Sequence, residues 1–153
     1  MTAAQQSIAD LLQSLGYTPT RQNVRDEIYA WKDRKTGRII AKTGMRSGTP
    51  FRAIKFFGVT DPPARLQAAL FSEIEARNGQ YCRPVRDLMR KAFCGSCTSC
   101  TGGGLGYFCV RRDGTEVVRC GAYPITIPDF SDADVPELIA VLRTQHAYFS
   151  SLN

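Results

Sequence analysis

The chain holds one histidine and one tryptophan in 153 residues, and no internal repeat or long low-complexity tract. With His146 as the lone imidazole, neither a Ser-His-Asp nor a Cys-His relay has a compelling order of partners. His146 falls on the apolar stripe of the last amphipathic segment, where a hydrogen-bonded core histidine is the expectation rather than a catalytic base. No stretch approaches the roughly 18 consecutive apolar residues of a transmembrane helix. The segment Met1 to Gly16 has no basic lead followed by an apolar core, so it does not read as a signal peptide, and a cytoplasmic location is expected. Gly102-Gly103-Gly104 is not followed by Lys-Ser or Lys-Thr, which excludes a phosphate-binding P-loop.

Acidic residues are scarce where basic ones concentrate. Residues 21–58 carry ten Lys/Arg against three acids, within a net charge of +6. A weaker basic run is Arg83, Arg86, Arg90 and Lys91, and the last 25 residues lean acidic. This asymmetry marks a candidate polyanion-facing side. The composition, 43% hydrophobic and 22% charged, is that of a globular protein, and the length suits one compact domain or two small lobes. Six cysteines without a secretion signal favour metal binding over disulfides.

Ile8, Leu11, Leu12 and Leu15 recur at helical spacing, and Gly16 can end that helix. A second helix is expected from about residue 20 to 33, capped at Thr18-Pro19, with Val24, Ile28 and Trp31 on one side. Residues 38–42 and 51–57 read as a hairpin with a loose basic tip at 44–50. Asp61-Pro62-Pro63 opens a helix that Asn78-Gly79 ends, with Leu66, Leu70 and Ile74 as its core stripe. Residues 84–93 read as another helix. The last one runs from about Val135 to Tyr148, with Val135, Leu138, Ile139, Leu142, His146 and Phe149 sharing a face. Asp129, Asp132 and Asp134 are acids near its N-terminus.

Cys94-Gly95-Ser96-Cys97-Thr98-Ser99-Cys100 sets three thiols at two overlapping C-x-x-C spacings, which lets pairs of sulfurs reach one ion at about 2.3 Å. Asp113-Gly114 then signals a two-residue hairpin turn. Counting outward from it, Cys109 opposes Val118 and Cys120 opposes Tyr107. Cys109 and Cys120 become same-face diagonal neighbours about 7–8 Å apart. The expected site is a closed, structural Zn²⁺ centre of Cys97, Cys100, Cys109 and Cys120, the competing set taking Cys94 in place of Cys100. Arg111, Arg112 and Arg119 can stabilise the thiolates. The segment resembles zinc-ribbon modules in joining a C-x-x-C turn to a cysteine-bearing hairpin, and departs from them because the hairpin cysteines are not a close C-x-x-C pair. An iron–sulfur cluster is the rival cofactor, although no fourth cysteine follows three residues later with proline behind it. Cys82 stands apart and reads as a buried apolar residue.

Gly16-Tyr17-Thr18-Pro19-Thr20 and Arg52-Ala53-Ile54-Lys55-Phe56 resemble the two ends of the winged-helix domain of LexA-type repressors. The first phrase opens the second helix in that family and the second lies on the last wing strand. The resemblance covers about a third of the chain and implies DNA binding. Residues 59–153 match nothing of that family's protease domain.

These readings give an α+β protein: a basic winged-helix-like unit of helix and β-hairpin at residues 1–60, then a helical unit at 61–153 carrying the cysteine-rich metal-binding hairpin and a C-terminal helix. The expected function is non-enzymatic nucleic-acid contact, with Arg21, Arg25, Lys42, Arg46, Arg52 and Lys55 on phosphates. The alternatives are a protein-interaction module or inhibitor, of the kind phages make, docking on a nucleic-acid-processing complex, and an iron–sulfur redox protein.

Overall fold

The computed structural model describes residues 2–22, 25–55, 82–83, 89–91, 105–111, 113–120, 124–127 and 131–151, together with Ala64, Leu66, Ala68, Ala69, Ser72 and Ala76. Thr2 starts the first helix, α1 (Ala3–Ser14), with a reciprocal cap. Its hydroxyl accepts the Gln5 N–H at 3.1 Å and its own N–H donates to Gln5 Oε1 at 2.9 Å. Ala4, Ile8, Leu11 and Leu12 form the buried face, and the helix stops at Leu15-Gly16 as the spacing predicts.

Four strands follow: β1 (Tyr17–Arg21), β2 (Ile28–Asp33), β3 (Ile39–Arg46) and β4 (Thr49–Ile54). The helix expected from residue 20 to 33 is therefore corrected to the end of β1 and all of β2. Residues 3–55 run helix then four strands, without the second helix that the winged-helix resemblance implies. Ile28 and Ala30 are buried on one sheet face, and Trp31 with half-buried Tyr29 lies on the other. Burial on both faces hides the two-residue alternation, so Ile28 and Trp31 mimic a helical stripe. Pro19 is tolerated because β1 is an edge strand.

The expected hairpin is present, but its tip is not loose. β3 and β4 stay paired to Arg46↔Thr49, and Ser47-Gly48 alone makes the turn, with φ of 50° and 79°. Positive φ at both positions is the type I′ geometry that matches strand twist.

The second sheet comprises β5 (Cys82–Arg83), β6 (Met89–Lys91), β7 (Leu105–Arg111) and β8 (Glu116–Cys120). β5 and β6 pair with β7, as does β8. The helix expected over 84–93 is thus strand at 89–91; residues 84–88 lie outside the described residues. Ten residues are too few for periodicity to separate helix from strand, and β6 is ordered by its ladder to β7. Within the expected helix after Asp61, the described residues are helical, and Leu66 and Ala69 are buried.

β9 (Ile125–Thr126) pairs with β4 and completes a five-stranded antiparallel sheet of order β1-β2-β3-β4-β9. A 3-10 turn at Asp132–Asp134 leads into α2 (Val135–Ser151). There Asp134 accepts hydrogen bonds from the Ser131 N–H at 2.8 Å and its hydroxyl at 3.1 Å, a capping role for one of the acids expected near this terminus. The protein is α+β. Its main core joins Ile8, Leu11 and Leu12 of α1, Tyr17, Trp31, Ile40, Ala41, Ile54 and Ile125 of the sheet, Leu66, and Leu138, Val141, Leu142 and Phe149 of α2. A bulge after Trp31, where the pairing passes from Trp31↔Ala41 to Lys32↔Ile39, brings both Ile40 and Ala41 into that core. β9 joins the sheet begun by β1–β4, and α2 shares the core with α1. Among the described residues no helix is long and apolar enough to cross a membrane.

Candidate functional site

One end of the five-stranded sheet gathers arginines that are distant in sequence. Arg21 ends β1 and pairs with Tyr29, Arg25 lies in the connection to β2, and Arg46 precedes the β3–β4 turn. Three interactions fasten the connection to the hairpin. Asp26 Oδ1 accepts the Ser47 N–H at 3.2 Å, and Glu27 O accepts the Met45 N–H at 3.0 Å. The third is a close approach at Gly44. A Cβ there would lie 1.7 Å from Glu27 O, at a φ of 145° that side-chain-bearing residues avoid.

Of the six cations expected on phosphates, Arg21, Arg25 and Arg46 are exposed and Lys42 is half-buried. Arg52 and Lys55 are buried, at 6% and 5% exposure, so they do not belong to a solvent-facing patch. Alternation places Arg52 on the helix-covered face beside Thr43, its register partner. Arg46 is held by its own neighbour, with the guanidinium 3.9 Å from the centroid of the Phe51 ring. Arg38 has a structural role: Nη1 donates to Phe149 O at 3.3 Å and the guanidinium lies 5.8 Å from that ring, tying β3 to the end of α2.

Next to the arginine end, α1 and the sheet leave an open cleft of about 300 Å³. Gln5, Gln6, Ala9 and Gln13 form its helical wall, and Pro19, Tyr29, Trp31, Thr43 and Met45 its sheet wall, with Glu27 and Gly44 at the connection. Gln5 Nε2 donates to Gly44 O at 3.2 Å, and Trp31 Nε1 donates to Thr43 Oγ1 at 2.8 Å. These bonds fix both walls. The cleft was not anticipated from the sequence. Its traces there are three glutamines along one side of α1 and the Tyr29/Trp31 alternation.

His146 is half-buried, and its Nδ1 lies 3.0 Å from the Tyr17 hydroxyl, the two rings meeting edge-on at 5.6 Å. It is hydrogen-bonded within the fold, as its place on the apolar stripe implied. Burial pushes the Tyr17 hydroxyl well above its ordinary range, and the nearby Asp33 carboxylate adds to the shift. Asp33 itself is held below its ordinary value, first by the Thr36 hydroxyl at 2.7 Å.

Cys94, Cys97 and Cys100 lie outside the described residues. Cys82, Cys109 and Cys120 are placed by strand register. Cys109 pairs with Val117 and Cys120 with Gly106, one residue away from the expected Val118 and Tyr107. The turn is the cause. Asp113 is not in the left-handed region whereas Gly114 is, at φ 88°, so the ladder ends at Val110↔Glu116 and the connection is longer than two residues. Because strand positions alternate with period two, a one-residue slip puts positions 109 and 120 out of phase. They are not the diagonal pair expected. Cys120 instead sits opposite Gly106, beside the Lys91↔Leu105 pair from which residues 92–104 depart. Among the described residues no group of three or more His, Cys, Asp or Glu converges as a metal site.

No family model, curated protein or solved structure matches this chain.

Proposed function

We propose that this protein binds nucleic acid through Arg21, Arg25 and Arg46, and that its clustered cysteines hold a structural zinc ion. The observation that carries the nucleic-acid reading is the fastening of the Arg25 connection to the Arg46 hairpin by Asp26, Glu27 and Gly44. A solvated basic face needs no such link. A phosphate-binding edge gains from it, because the backbone that carries the cations is already ordered and loses less freedom on binding. Lys42, on the same face of β3 as Arg46, extends the Arg46 side of the patch. Contacts of this type position a protein on a polyanion and release counterions without reading sequence.

The zinc reading is supported by the C-x-x-C-x-x-C run in a chain with six cysteines. With positions 109 and 120 out of phase, a four-thiolate site of Cys94, Cys97, Cys100 and Cys120 is favoured over one that uses Cys109. Cys94 is three residues beyond Lys91, a reach of at most about 11 Å, and Cys120 lies beside that same rung of the ladder. Such a closed site is structural and leaves no open coordination position.

The test is binding of a labelled oligonucleotide across a salt series, with metal content measured on the same preparation. Affinity that falls steeply with salt, and one zinc per chain, are expected. Absence of binding at low salt overturns the nucleic-acid reading and favours a protein-docking role. Iron in place of zinc overturns the structural-metal reading in favour of a redox protein.

A further inference from the structure

We infer that the cleft between α1 and the sheet receives an unstacked base of a single-stranded nucleic acid whose phosphates lie on the arginine end. The inference rests on the nucleic-acid reading above and specifies the form of the ligand.

Two of the exposed arginines, Arg21 and Arg25, adjoin the cleft rim. Arg21 is the register partner of Tyr29, and two residues from Pro19 on the same strand face. Arg25 is two residues before Glu27, whereas Arg46, although next to Met45, turns to the opposite face of the sheet, over Phe51. A strand laid along Arg21 and Arg25 therefore has its bases within reach of a cleft walled by Tyr29, Trp31 and Met45. Single strands are held this way generally, with cations on the backbone and aromatic rings under the bases. A duplex keeps its bases stacked and has none to insert.

The polar groups of the cleft also fit a base better than an apolar ligand. Gln13 is exposed, and among the described residues its side-chain amide makes no hydrogen bond, so it offers both a donor and an acceptor. Glu27, also exposed at the rim, repels phosphate but accepts a hydrogen bond from an exocyclic amine, as carboxylates do from cytosine. It thereby favours the base, and not the backbone, over the cleft. The volume of about 300 Å³ accommodates one base in an open site.

The experiment compares a labelled mixed-sequence single strand with its duplex, using the full-length protein, at one salt concentration and then across a series. The single strand is expected to bind more tightly and to quench Trp31 emission, the chain's only tryptophan, whereas the duplex does not. Tyr29→Ala should weaken single-strand binding by roughly 5- to 100-fold, the range for loss of one stacking partner, and leave duplex affinity and the salt slope unchanged. Gln13→Ala, an exposed substitution that spares folding, should shift single-strand affinity in the same direction by less. Equal affinity for strand and duplex, with neither variant changing it, overturns the cleft inference and leaves phosphate contact standing. Displacement of the strand by a nucleoside monophosphate at comparable concentration also overturns it, in favour of a free-nucleotide site. Failure of both strand and duplex to bind the wild-type protein at low salt rejects the underlying nucleic-acid reading instead.

Discussion

Gly44 shows how one residue can set the geometry of a surface some distance along the chain. A Cβ at this position meets Glu27 O at 1.7 Å, and the left-handed φ adds strain to the collision. Gly44→Ala should destabilise the fold by about 2–4 kcal/mol, from overpacking and backbone strain together. In urea unfolding this appears as a lower midpoint with an unchanged slope; an unchanged midpoint would contradict the close approach. Tyr17 is a second residue with a measurable signature. Its hydroxyl is raised above its ordinary value of 10.0, so the folded state holds this proton more tightly than the unfolded chain does. The associated stability is fully present below pH 10 and is lost as pH rises beyond it. Tyr17→Phe should remove the hydrogen bond to His146, costing about 0.5–1.5 kcal/mol at neutral pH, and flatten the alkaline fall in stability. An alkaline limb that is the same in both proteins would locate the titration elsewhere.

Among the elements, those whose apolar residues face one way were legible in the sequence. α1 and α2 each bury a single stripe, and their spacing reveals it. β2 buries Ile28 and Ala30 on one face and Trp31 on the other, which erased its period. The β7–β8 hairpin was legible in existence but not in register, because Asp-Gly suits a two-residue turn while the chain uses a longer one in which only Gly114, and not Asp113, takes the left-handed conformation. That single step separates positions 109 and 120. At this scale the prediction concerns metal content. On the proposed zinc site, Cys120→Ser should bind no zinc, and Cys109→Ser should retain about one ion per chain. Retention by Cys120→Ser with loss from Cys109→Ser would contradict the assignment from register.

Across the whole molecule, sequence-distant pieces make the candidate surface, and that limited what could be read in advance. The excess of cations in residues 21–58 was plain, but their sorting depends on tertiary structure. Arg52 and Lys55 enter the interior, Arg38 ties β3 to α2, and Arg21, Arg25 and Arg46 remain exposed at one end of the sheet. The cleft needs α1 to cross the sheet, and no local pattern encodes that crossing. The resemblance of two short phrases to a winged helix likewise could not specify the path between them, where strands occupy the place of the expected second helix. One measurement tests the central claim most directly: the affinity of a labelled single strand as a function of salt, for the wild-type protein and for the Arg21→Gln, Arg25→Gln, Arg46→Gln triple variant. Three phosphate contacts predict a slope of about −2 in log affinity against log salt, and a slope near zero with much weaker binding for the variant. Binding that ignores salt, or a variant that keeps the wild-type slope and affinity, would contradict the claim that these arginines hold a nucleic-acid backbone.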